Sequence, residues 1–564
     1  MNYLFINKCI DKALKNLNYK KPKNYIVEPT RDILFGDFAT NIAMILAKTL
    51  KKNPIDIAND ITKIINKNNK QFFSKIEVVK PGFINFFVNP ICYNKVLSQF
   101  VKTSKYKPTL LPKSKRKYIN CEFVSANPTG ALHLGHVRNA YISEVLYNVL
   151  KSLGHRVVSD YWLNDMGAQI DLFEVSCLCR YLELFGKKPK FPENGYKGED
   201  PFVIGKKMKE KFGNKFLNTK FNDLKIEDTK ARTTIWKFAI GCMVEQIKDH
   251  LKMINVLDIK LWTSETWVYK SGILEKLLNT CLKKYTYTKD GAVWLKTTIA
   301  GQDDKDRVLI KNDGTRTYML TDIGYQYYKN MRKFDLFLQI WGSDHEGHLR
   351  RMKSIMPMLG IKPEKLCVVM MQMVKIVNNG QEIKLSKRLG NAITIPDMLK
   401  IMSVDTSRWY ILAQSPSTSI IIDLAKVSKM DNTNPVFYVQ YAHARISQLL
   451  KKVKLKDKKL PTSYKKLTSN NERHLINMLM SLEPVLHSVS ATYEPNRLVT
   501  YVHELAKTFH AWYNEFKLKD LKDDELKKQR YYLAKSVGNA IKFVLTLLGI
   551  NAPNKMDHLN SKNF

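Results

Sequence analysis

Two histidines stand three residues apart in the stretch SANPTGALHLGHVRNA, Ser125 to Ala140, at His133 and His136. A pair at that spacing can hold a metal, donate hydrogen bonds to a phosphate, or be buried without function. A second stretch, Lys384-Leu385-Ser386-Lys387-Arg388, follows far downstream. It reads as a basic surface loop or as a set of cations for a polyanion. No third metal ligand lies near the histidines in sequence. The eight cysteines (Cys9, Cys92, Cys121, Cys177, Cys179, Cys242, Cys281 and Cys367) form no C-x-x-C pair. Cys177 and Cys179 lie two apart in a helical pattern and so point to different faces. Neither a zinc site nor a disulfide framework is expected, and free thiols fit a reducing compartment.

The elements around the histidines decide between these chemistries. KYINCEFV reads as a buried strand ending near Val124, and an Asn-Pro-Thr-Gly loop follows. Ile142, Val145, Leu146, Val149, Leu150 and Leu153 then recur at helical spacing, and Gly154 supplies a stop. RVVSDYWL is the next strand. This βαβ unit implies a parallel, doubly wound sheet, whose ligands bind beyond the carboxyl ends of the strands. The histidines precede the helix or open its first turn, where unpaired N–H groups and the helix dipole suit a phosphate. Gly130 and Gly135 allow the backbone to approach closely. Further strand-like segments are RVLIK, RTYML, DLFLQIW and CVVMMQMVKI, with helical patterns over 322–332 and 346–359.

The fold class expected is α/β: a Rossmann-like parallel-sheet catalytic domain with an insertion, a small N-terminal α/β domain and a C-terminal all-α helical bundle. The boundaries are 1–110, 111–424 with an insertion at about 185–300, and 425–564. In the first domain, helical patterns at 38–51 and 54–67 precede strand-like KIEVVK and FINFFV. From about Leu424 every strong pattern is helical. Lys plus Arg number 92 against 52 Asp plus Glu, a formal charge of +40 that favours nucleic acid as partner. Abundant Lys, Asn and Ile point to an AT-rich coding bias that inflates this surplus, so charge alone does not identify RNA. The chain has no run of 18 apolar residues and no signal-peptide pattern at MNYLFINKCIDKALKN, so a cytoplasmic protein with no membrane contact is expected.

HLGH after Asn-Pro-Thr-Gly resembles the H-I-G-H signature of class I aminoacyl-tRNA synthetases, and KLSKR at 384–388 resembles their K-M-S-K-S/R loop. EFVSANPTGALHLGHVRNA, WLNDMGAQIDL, FPENGYKGE, GSDHEGHLRRMK, LSKRLGN, NPVFYVQYAHAR, GDFATNIAMILAK and GFINFFV resemble the bacterial arginyl-tRNA synthetase family. The resemblance spans nearly the whole chain.

It implies ATP-dependent activation of L-arginine and transfer to the 3′ adenosine of tRNA(Arg), an activation step that requires bound tRNA, and a monomer. It also implies Mg2+ accompanying ATP, held by phosphates and water. The ATP-binding residues would be Gly130, His133, Gly135, His136, Lys384, Ser386 and Lys387. Of these, His133, His136, Lys384 and Lys387 would act in catalysis by stabilising charge on the α-phosphate and on departing pyrophosphate. Glu122 and Asp322 would face the guanidinium, Tyr318 would cover the side chain, and Asn127 would hold the α-amino end. Asp344 and His345 are weaker candidates, because some relatives carry glutamine there. Asn164, Asp165 and Gln169 would line the same cleft. Read without the family, Glu122 is a surface carboxylate at a strand end and Asp322 a helix N-cap. In the bundle, Tyr441, Arg445, Trp512, Tyr513 and Met556 are candidate tRNA contacts by stacking and charge. Core packing is the alternative for the aromatics, Trp512 above all.

Overall fold

The computed structural model describes residues 3–22, 25–30, 33–102, 106–300, 303–378, 381–383, 393–423, 427, 434–516, 518 and 521–556. The chain divides into two compact units, Leu111–Lys429 and Met1–Leu110 with Met430–Phe564.

The middle unit is built on a five-stranded sheet. In chain order its strands are Tyr118–Glu122, Arg156–Leu163, Leu261–Ser264, Leu336–Gly342 and Leu366–Met371. All neighbours are parallel, and the spatial order is fifth, fourth, first, second, third. The connections therefore run outward in both directions from Tyr118–Glu122, and a crevice opens beyond its carboxyl end. Ile119 and Cys121 are fully buried, as expected for a strand covered on both faces. The helix Leu134–Ser152 crosses over to the second strand. It is buried on nearly every side, so its apolar residues do not form a narrow stripe.

Several segments depart from the sequence-based expectation. RTYML does not form a strand: Thr317 precedes the helix Tyr318–Met331. Met319, Leu320 and Ile323 pack there into a core with Val268 and Leu274, so helical packing overrides the strand-like local sequence. CVVMMQMVKI breaks into Leu366–Met371 of the parallel sheet and Val374–Asn378 of a second sheet with Gln381–Ile383 and Ile420–Asp423. RVLIK joins an antiparallel sheet with Thr286–Lys289 and Ala292–Leu295. The stretch 185–300 is not wholly an insertion, because Leu261–Ser264 is a strand of the main sheet. The helices Glu199–Phe212 and Thr229–Met253 within it bury their apolar faces with Ala168–Glu183.

The other unit joins both chain ends. Its antiparallel sheet runs Val27–Pro29, Phe38–Thr40, Phe83–Val88, Phe73–Val79. Phe38–Thr40 is a short strand ahead of the helix Ile42–Leu50, where helix alone was expected. Four long helices, Pro435–Lys452, Asn470–Thr492, Asn496–Glu515 and Asp524–Leu548, form the helical part. The amphipathic helix Tyr93–Val101 buries Tyr93, Val96, Leu97 and Phe100. Asn539 donates to the Phe100 carbonyl at 2.6 Å, so the small N-terminal region shares a unit with the bundle. Among the described residues, no helix is long and apolar enough to cross a membrane.

Candidate active site

The strand Tyr118–Glu122 leads into a strained turn. Val124 and Ser125 take φ of 58° and 50°, a left-handed conformation that is costly for a β-branched residue. Hydrogen bonds hold it there: Val124 N donates to Asn139 Oδ1 at 2.8 Å, and Trp162 N donates to Ser125 Oγ at 3.0 Å. The turn sets Asn127 in a side-chain chain. Asn164 donates to Asn127 Oδ1 at 2.8 Å, and Asn127 donates to Gln169 Oε1 at 2.7 Å. Ala131 N donates to Asp200 Oδ2 at 3.0 Å, and Gln246 steadies the other oxygen at 2.9 Å.

His133 is the N-cap of Leu134–Ser152, and His136 is its third residue. Gly135 N donates to His133 Nδ1, and His133 N donates to His136 Nδ1, each at 3.2 Å. A Cβ at Gly135 would lie 3.2 Å from His133 Cε1, so glycine lets the imidazole fold back over the helix start. The two rings lie 3.8 Å apart at 32°. Because each Nδ1 accepts, the neutral tautomer carries its proton on Nε2. Two Nε2–H donors at a helix N-terminus suit phosphoryl oxygens. Among the described residues, no group of three His, Cys, Asp or Glu is arranged to hold a metal.

A second face of the crevice comes from the helix Tyr318–Met331. Tyr318, Asp322, Tyr325 and Lys329 share one side of it, at positions i, i+4, i+7 and i+11. The helix begins at Tyr318, so Asp322 lies in its second turn and is not an N-cap. Its carboxylate lies 3.3 Å from His348 Nε2, and its side chain is 26% exposed. Tyr318 is exposed at the helix start.

Glu122 is buried, not a surface carboxylate. Its Oε2 accepts from Lys329 Nζ at 2.9 Å and from Gln339 Nε2. Tyr325 lies under the same ammonium, with its ring centroid 3.7 Å away, and donates to Asp160 Oδ2 at 3.1 Å. Burial raises the pKa of Asp160, and Lys329 opposes the rise. Glu265 follows the third strand and accepts from the Thr321 hydroxyl at 2.7 Å. Burial pushes its pKa up to about 7, and Asp322 and Asp165 add to the rise. Asp165 is itself held by Ser264 Oγ at 2.6 Å and Thr266 N at 2.8 Å.

Asp344 and His345 are mainly exposed, with side chains 77% and 57% accessible. The imidazole beside Asp322 is that of His348, three residues on and 5.3 Å from the Trp341 ring. The second histidine of GSDHEGH was the available signal. Lys329, Gln339 and Glu265 carried no such signal, because their partners are distant in sequence. Lys384, Ser386 and Lys387 lie outside the described residues. Just beyond them, Thr394 bridges His133, and Ile395 N donates to the Leu132 carbonyl at 3.2 Å.

In the bundle, the Arg445 guanidinium lies 4.0 Å from the Tyr513 ring centroid and 5.5 Å from that of Tyr441. His510 stacks near Tyr441, and burial lowers its pKa to about 4. Arg445, Tyr441, Tyr513 and Met556 are partly exposed. Trp512 corrects the expectation: its side chain is fully buried, so it is core and not a stacking platform. The final described segment packs on the helix Pro435–Lys452, where Gln448 donates to the Asn554 carbonyl at 2.8 Å.

Three family models match the chain. Residues 4–88 match an arginyl tRNA synthetase N terminal domain, 95–448 the catalytic domain of class I (R) tRNA synthetases, and 439–556 a DALR anticodon binding domain. The chain is 46% identical over 549 residues to an arginine–tRNA ligase of Mycoplasmoides gallisepticum, covering 97% of this chain and 98% of that protein. It is 35% identical over 537 residues to that of Bacillus subtilis, covering 94% of each. The fold is similar to that of the solved Thermus thermophilus arginyl-tRNA synthetase, with a TM-score of 0.77 at 17% identity, covering 99% of this chain and 100% of that one.

Proposed function

The chain belongs to the arginyl-tRNA synthetase family, and from that premise we propose how its own residues divide the work. The activity is that of an arginine–tRNA ligase, using arginine, ATP and tRNA(Arg). In the first step the arginine carboxylate attacks the α-phosphorus of ATP. An acyl–phosphate bond forms, the α–β anhydride bond breaks, and pyrophosphate leaves. In the second step a hydroxyl of the tRNA terminal adenosine attacks the acyl carbon, and AMP leaves.

His133 and His136 donate from Nε2 to phosphoryl oxygens as negative charge builds there. The N–H groups of the helix start add to that field. Lys384 and Lys387, with Ser386, close on the pyrophosphate from the other side. Asp322 pairs with the guanidinium, and Glu122, its own charge offset by Lys329, faces it from the end of the central strand. Tyr318 covers the side chain, and Asn127, set by Asn164 and Gln169, holds the α-amino end. Tyr441, Arg445 and Tyr513 receive unstacked tRNA bases, with Met556 nearby. Mg2+ comes with ATP on its phosphates. The protein acts as a cytoplasmic monomer, and arginine activation needs bound tRNA.

The observation that carries this reading is the capping geometry of His133 and His136 at the start of the helix that follows the central strand. Arginine-dependent ATP–pyrophosphate exchange, with and without tRNA(Arg), tests it. Exchange only with tRNA is expected. Exchange with lysine or cysteine but not arginine would refute the pocket assignment.

A further inference from the structure

Asp200 stands in the first turn of the helix Glu199–Phe212. A carboxylate there commonly does no more than complement the helix dipole. Here both oxygens accept from other segments. Oδ2 takes the Ala131 N–H at 3.0 Å, and Oδ1 takes the Gln246 amide at 2.9 Å from the helix Thr229–Met253. Ala131 lies two residues before the cap His133, and its N–H would otherwise be an orphan donor in a partly buried loop. A carboxylate so close in the chain to a phosphate site also repels the anion that the site receives. Its presence therefore points to a use that outweighs this cost.

The support behind Asp200 is stiff. A Cβ at Gly205 would lie 2.8 Å from Tyr181 N, so the helix Glu199–Phe212 meets Ala168–Glu183 backbone to backbone. Just ahead of Asp200, Tyr196 N donates to Ser176 Oγ at 3.0 Å, on that same partner helix. Ala168–Glu183 also carries Gln169, which accepts from Asn127 at 2.7 Å. Two helices packed on each other thus hold the loop 127–133 at two points: Gln169 holds Asn127, and Asp200 holds Ala131. Between these points Thr129 N donates to the Asn127 carbonyl at 2.8 Å and closes a turn.

We infer that Asp200 is a positioning residue for adenylate formation: by holding Ala131 N it fixes the spacing between Asn127, at the arginine α-amino end, and the imidazoles of His133 and His136 on the phosphates. The attacking carboxylate and the α-phosphorus then meet in line without rearrangement of the loop. This inference rests on the proposed roles of Asn127, His133 and His136.

The test uses the full chain with tRNA(Arg), arginine and ATP, read as ATP–pyrophosphate exchange per active site beside the thermal midpoint of each variant. D200A lowers kcat by roughly 10- to 10²-fold, while the KM for arginine, the KM for ATP and the tRNA Kd stay within about twofold. D200N recovers most of the loss, because its Oδ1 accepts from Ala131 N and Gln246 turns its amide to accept from Nδ2. Q246E sets two carboxylates face to face and lowers kcat, and adding D200N to it restores a donor–acceptor pair and the rate. A parental kcat in D200A with a lowered thermal midpoint would overturn the inference, since the bridge would then serve the fold alone. So would a D200N variant as slow as D200A, or a Q246E defect that D200N leaves in place. If D200A does not fold, Q246E with and without D200N decides. Parental exchange in H136A, or no arginine-dependent exchange in the parent chain, would instead overturn the reading of the active site on which the inference rests.

Discussion

The Lys329 ammonium lies 2.9 Å from the Glu122 carboxylate, with both side chains almost wholly buried. The carboxylate at the end of the central strand is thus already paired within the chain itself. Removing one partner of a buried pair leaves an uncompensated charge. Lys329→Met should therefore cost about 3–5 kcal/mol of stability, measured as a shift in the urea midpoint of the unit containing the parallel sheet. Adding Glu122→Gln to that variant should recover much of the loss.

His136→Ala should lower arginine-dependent exchange on the order of 10²–10³-fold and leave tRNA affinity within about twofold. Near-parental kcat per active site would remove the phosphate role. His133→Ala has a second effect, because that imidazole is also the helix cap. Loss of a cap costs about 1 kcal/mol, so its thermal midpoint should fall below that of the His136 variant.

Asp322→Asn should raise the KM for arginine at least about tenfold, on the scale of truncating one partner of a desolvated charge pair. The KM for ATP should change far less. Steady-state exchange at varied arginine and varied ATP separates the two, and equal rises would show that Asp322 serves the fold. Asp344→Asn should change neither, since that carboxylate is largely solvated.

Glu265 gives a pH signature. Burial raises its pKa from 4.5 to about 7 in the folded chain. Between those values the folded state holds the proton more often than the unfolded state does. Stability from this group therefore falls as pH rises through the window and is constant above it. The raised pKa corresponds to about 3 kcal/mol. Glu265→Gln removes the effect, so thermal denaturation should show the variant gaining on the parent between pH 5 and pH 8. Parallel pH profiles for the two proteins would contradict it.

Trp512 and Tyr513 are neighbours in sequence with opposite expected phenotypes. Trp512→Ala empties a fully buried site and should cost about 3–5 kcal/mol. Tyr513→Ala, at a partly exposed ring beside Arg445, should weaken tRNA binding by about 1–3 kcal/mol with little change in thermal stability. Denaturation and tRNA filter binding on both variants test the contrast.

Much of this molecule was legible in the residues alone. The strand, glycine-bearing loop, helix and strand around HLGH follow from local periodicity and turn chemistry, and the parallel sheet is there. The positions of His133 and His136 at the helix start follow from the same local rules. Other features belong to tertiary structure. RTYML reads as strand-like in isolation, but its apolar side chains are claimed by a helical packing surface. Aromatic identity suggested Trp512 as a base platform, but burial is set by neighbouring helices. Glu122 read as an open carboxylate, because Lys329 and Gln339 lie more than 200 positions away in sequence. Asp200 gave no signal at all, since its partner in the loop is a main-chain N–H, which almost every residue has. Local sequence determines which groups can do chemistry and on which element they stand. Only the folded chain decides which of them are already paired, because charge and hydrogen-bond partners are chosen by proximity in space.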